Sequence, residues 1–158
     1  MPSTIREQAQ AAFTAALEGM GGTPAVAVDV NRLAPVLPSQ MPCLNVIDGG
    51  HEARDLNAGA ADFDMTITVA CAIAEAEGVA QRQAVNALYG RIVAALLADP
   101  TLGGVAYDVR EVSMSDPVPD AIADAAGNIV SEEFTVFEVV FAVAFVTDER
   151  DRTSLAPN

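Results

Sequence analysis

Thirteen consecutive residues at 134–146, FTVFEVVFAVAFV, carry almost only apolar side chains on both alternating faces, with Glu138 as the single charge. Their mixture of β-branched and aromatic types marks a strand. The run falls well short of the roughly 20 apolar residues that a membrane-crossing helix needs, and no other segment comes closer, so a soluble chain is expected. A strand apolar on both sides belongs inside a sheet with a cover on each face. Either the rest of the chain supplies two covers, or another molecule supplies one.

Two helices are legible. Over 3–19, Ile5, Ala9, Ala12, Phe13, Ala16 and Leu17 fall on one stripe, and Thr4 with Glu7 forms a capping-box pattern at its start. Over 79–98, Val85, Leu88, Tyr89, Ile92, Val93, Leu96 and Leu97 recur at three- and four-residue steps until Asp99-Pro100 stops them. Strands are expected at 25–30, 43–48, 62–74, 105–114 and 134–146, with loops at 49–61 and 115–128. The predicted fold is α+β: a mostly antiparallel five-stranded sheet with both helices on one face. Residues 1–147 form one domain and 148–158, DERDRTSLAPN, a loose charged tail.

Five strands about 4.8 Å apart make a sheet about 24 Å wide, which two helices about 10 Å across cover on one side only. Side-chain size says which side. In 62–74, Phe63, Met65, Ile67, Val69, Cys71 and Ile73 alternate with Asp62, Asp64, Thr66, Thr68, Ala70 and Ala72. In the last strand, Phe137, Val139, Phe141, Val143 and Phe145 alternate with Val136, Glu138, Val140, Ala142 and Ala144. The large rows are expected under the helices and the small rows on the open side. That leaves Thr68, Ala70, Ala72, Val136, Glu138, Val140 and Ala142 as a candidate subunit interface, or as a partly wet surface tolerated as it stands. At about 3.3 Å per residue the last strand spans roughly 43 Å, so it is expected to bend or to reach past the body of the domain.

Charge narrows the partners. Against 22 acidic residues stand eight basic ones, all arginine, for a formal net charge of −14. Gripping nucleic acid takes clustered cations that displace condensed counterions, so direct DNA or RNA binding is not expected. Cys43 and Cys71 each fall in a strand and no export leader is recognisable, so free buried thiols in a reducing compartment are expected.

Chemistry-bearing motifs are sparse. DGGHEARD at 48–55 brings the sole histidine, His51, beside Asp48, Glu52 and Asp55. A zinc hydrolase would need a second histidine or a cysteine at ligand spacing, and none is present. The alternative to a solvated acidic loop is a small metal-dependent enzyme built on these four residues. Asp62 and Asp64 share one side of a strand, where paired charges serve acid–base work or protect an edge. There is no phosphate-binding glycine loop, no GxSxG elbow, and no basic neighbour to activate either thiol. No catalytic residue, metal or cofactor is therefore assigned.

LPSQMPCLNVIDGG leading into a strand, the long MTITVACAIAEAEG, and above all ALLADPTLGGVAYDV at 95–109 are similar to tail-terminator or tail-completion proteins of long-tailed bacteriophages and gene transfer agents. The resemblance runs from about residue 3 to 147. It implies a homo-oligomeric ring, usually of six copies, that caps the tail tube and receives the head-tail connector, in a virion assembled in the bacterial cytoplasm. DNA would pass through the lumen without specific binding. Under it, Asp48, His51 and Glu52 with Asp55, and Asp116, Asp120 and Asp124, become loop contacts to tube or connector. Another neck protein, or a monomeric ligand-binding domain, stands as an alternative.

Overall fold

A computed structural model describes residues 3–57, 59–148 and 151–155. Helix α1 spans Ile5–Glu18 and α2 Gly78–Leu97; the strands are β1 Ala27–Val30, β2 Cys43–Asn57, β3 Ala60–Ile73, β4 Asp108–Met114, β5 Val118–Asp120 and β6 Phe134–Asp148. The sheet runs β1-β2-β3-β6-β4, with β5 also paired to β6. Only β1 and β2 are parallel; the remaining pairs are antiparallel. The fold is α+β as expected, with a sixth strand where five were anticipated.

Local chemistry accounts for the helix ends. The Glu7 amide donates to Thr4 Oγ1 at 3.2 Å while Glu7 Oε2 accepts from the Thr4 amide at 2.7 Å, closing the capping box. Ile5, Ala9, Phe13 and Leu17 of α1 and Val85, Leu88, Ile92 and Leu96 of α2 are buried against the sheet. The large rows of β3 and β6 complete this core, with the Phe13 ring edge-on to Phe141 at 5.7 Å. Each fully buried side chain of this size contributes about 1.5–3 kcal/mol relative to leaving it in water. Cys43 and Cys71 are both buried and free of a disulfide, and burial is the main cause that pushes each thiol pKa up.

Residues 49–61, expected as a loop, are largely strand. β2 continues through Gly49-Gly50 to Asn57 and pairs with β3 as far as Ala60. The two glycines read as a terminator because turns favour them; here they form a bulge, with a register shift between Asp48 and His51. Gly50 sits at φ 86°, and a Cβ on Gly49 would come within 3.1 Å of the Thr66 carbonyl oxygen. The 115–128 connection is likewise not all loop: β5 pairs with the start of β6, and Ala123 bridges Ile129.

β6 is matched rather than overhanging. β3 pairs with it from Thr135 to Asp148, and β4 and β5 occupy its other edge. The sheet itself is long along this axis, since three consecutive strands have 14 or 15 residues each. In the segment expected as a loose tail, the Arg152 carbonyl accepts from the Ile5 amide at 2.9 Å and its guanidinium donates to Thr147 Oγ1 at 2.8 Å. Arg152 also lies 5.0 Å over the Phe63 ring. Among the described residues no helix is long and apolar enough to cross a membrane.

Candidate functional site

Antiparallel register gathers the seven candidate interface residues into one patch. Thr68 lies opposite Val140, Ala70 opposite Glu138, Ala72 opposite Val136, and Ala142 follows opposite Thr66. β2 extends the patch, because Cys43 and Asn45 pair with Ala72 and Ala70. No second helical layer of the described residues lies over it; both helices pack against the other side.

The patch is not flat. Arg32, Ala34 and Val36 wall it along the β1 edge, and Ser115, Val118 and Ile122 along the β5 edge. Between the walls lie two adjoining grooves of about 380 Å³ each, which share Val36, Ala72 and Val136. Hydrogen bonds fix both walls to the floor. The Arg32 amide donates to Asn45 Oδ1 at 2.9 Å and Asn45 Nδ2 returns a bond to the Arg32 carbonyl at 3.0 Å. Opposite, the Ser115 amide donates to the Glu138 carbonyl at 2.9 Å and the Glu138 amide to Ser115 Oγ at 2.8 Å. The Glu138 carboxylate itself is exposed on the groove floor, with no hydrogen bond or ion pair among the described residues.

Farther along the same face the character changes from apolar to ionic. Asp64 Oδ2 accepts from Arg110 at 3.0 Å and forms an ion pair with Arg54 at 3.3 Å. Tyr107 donates to Asp62 at 2.7 Å; burial first and this bond second raise the phenol pKa. Asp62 and Asp64 thus share a side as expected, held by arginines and a tyrosine, with Asp64 Oδ1 buried and unpartnered. Ala142 is opposite Arg110 and only 6% exposed, so it has little surface to give a neighbour.

The acidic candidates are dispersed. Asp48 points to the helix side, where it pairs with Arg6 of α1 and accepts from the Gly50 amide at 2.8 Å. The His51 ring stands edge-on to Phe63 at 4.8 Å and to Phe145 at 6.2 Å. Glu52 is exposed on β2 opposite Asp64, and the Asp55 side chain lies outside the described residues. Among the described residues no group of three or more His, Cys, Asp or Glu side chains converges as a metal site. Asp116 is exposed, and Asp120 accepts from the Ala121 amide. Asp124 holds its own turn by accepting from the Asn128 and Ala126 amides at 2.9 Å, and the Asn128 bonds above all keep its carboxyl below the ordinary range.

Sequence reading missed the walls. Cys43 and Asn45 were recoverable, since alternation along 43–48 puts them on the side opposite Leu44 and Val46. Arg32 and Ser115 sit in turn-rich segments whose sequence carries no sign of which sheet face they flank. No protein-family model matches the chain, and comparison with curated proteins likewise finds no match.

Proposed function

We propose that this chain is a structural assembly protein without catalytic activity, whose copies close into a ring through the uncovered sheet face. The ring is of the tail-terminator kind: six subunits that cap a phage or gene-transfer-agent tail tube, stop its growth and offer a docking surface to the head-tail connector. One observation carries the reading. A walled patch of small apolar residues, about three strands wide, lies on the side of the sheet that the chain's own helices leave bare. Closure of identical copies consumes such surfaces and leaves no site for further addition. The net charge of −14 suits a lumen that DNA traverses, because an acidic wall does not hold phosphates.

Native mass spectrometry with negative-stain imaging tests the ring, and tube subunits polymerising in its presence test the capping. Closed rings that stop elongation and stay at one tube end are expected. Monomers at every soluble concentration, or tubes that lengthen unchanged beside rings, would overturn the reading.

A further inference from the structure

On the apolar stretch of the uncovered face, Glu138 is a charge that no described residue neutralises. It stands on a floor beside Ala70, Ala72 and Val136, with no partner among the described residues. Covering it with an uncharged or acidic surface would strand a buried carboxylate, at a cost of several kcal/mol. Whatever seats there has to bring a cation.

Lysine is absent from the chain, and most of its arginines are engaged. Arg6, Arg32, Arg54 and Arg110 pair with aspartates, Arg91 donates to the Gly21 and Pro24 carbonyls, and Arg152 holds Thr147. Among the described residues Arg82 is the arginine with no hydrogen bond or ion pair, and it is exposed on α2. That helix differs from the rest of the surface: in a chain with 22 acidic residues, its 20 residues contain no Asp or Glu. Its outward stripe, Val79, Arg82, Asn86, Gly90, Ala94 and Leu97, is exposed throughout and otherwise uncharged. Val79 and Leu97 are 60% and 46% exposed, so apolar surface stands at both ends of it.

Size agrees with charge. The groove floor between its walls is formed by β2, β3 and β6; three strands at about 4.8 Å give roughly 14 Å, enough for one helix about 10–12 Å across. Patch and helix lie on opposite sides of the two-layer protomer, so their union is head-to-tail, which makes a ring when the rotation between copies closes.

Resting on the ring reading, we infer that the occupant of the groove is α2 of the next copy, with its Arg82 set against Glu138. The stripe of one subunit fills the grooves of its neighbour, and each subunit uses both surfaces once. Charge reversal tests this with purified full-length chains, using sedimentation and native mass as readouts and circular dichroism melts to confirm folding. Glu138→Arg alone and Arg82→Glu alone should each weaken association about tenfold or more per contact, through like-charge opposition. An equimolar mixture of the two variants should recover assemblies with an even number of subunits, because every contact in an alternating ring then pairs opposite charges. Wild-type-like assembly of either variant alone, or no recovery on mixing, would overturn the inference while leaving rings of the wild type intact. A wild-type chain that never assembles would overturn the ring reading together with it.

Discussion

Ala72→Arg separates a bare face from a sealed one. Ala72 lies on β3 between Cys43 and Val136, and it lines both grooves. The arginine stem has free volume to lie along the apolar floor. Its head reaches toward Glu138, a diagonal cross-strand neighbour within range of a long side chain. Folding stability should therefore change by no more than about 0.5 kcal/mol, as at an ordinary surface position. Association should suffer far more, because the groove is filled and its carboxylate is neutralised from within. An incoming cation then meets a charge it cannot pair with, at about 3–5 kcal/mol per contact, or roughly two to four orders of magnitude in affinity. Circular dichroism melts read the first quantity and sedimentation velocity the second, with Ala72→Ser as a small control that should still assemble. Two results would refute the reasoning. Assembly equal to wild type would mean that this face is not the interface. A melting temperature lower by more than about 5 °C would mean that the face is packed within the chain, since overpacking costs about 1–3 kcal/mol and each kcal/mol moves Tm by about 2–4 °C at this size.

Phe141→Ala attacks the opposite face of the neighbouring strand. Phe141 is fully buried against Phe13, so a loss of about 3–5 kcal/mol is expected, seen in urea melts; a loss below about 1 kcal/mol would contradict the placement of this row under the helices. Asp151 accepts from Ser154 and Thr153, bonds that lower its carboxyl pKa to about 2 from 3.8. Because the folded value is the depressed one, the turn at 151–155 should keep this stabilisation above pH 3.8 and lose it as pH falls through about 2. Carboxyl carbon shifts would follow the titration, and a midpoint near 3.8 would show that these bonds do not form.

The two-faced character of β3 and β6 was legible because side-chain size alternates with a period of two over more than ten residues, leaving a single assignment of faces. Helix α1 was legible for a similar reason, with Thr4 and Glu7 marking its start. Gly49-Gly50 was not: the same dipeptide serves a turn or a bulge, and only the partner strand decides which. β5 is three residues, including Pro119, and its pairing depends on where β6 lies. Among the site residues, Glu138 stood out as a charge in an apolar run. The burial of Ala142 did not, because it depends on Arg110 from a strand more than thirty residues earlier. Asp48 looked like part of an acidic loop, yet its position opposite Ile67 turns it toward Arg6.

The most direct measurement is a cryo-EM map of the assembled particle at a resolution that shows side chains. Density from an adjacent subunit, with a helix lying between the Arg32 and Ser115 walls above Ala70, Ala72 and Glu138, is the expected result. Particles in which those residues face solvent, with subunits joined elsewhere, would contradict it.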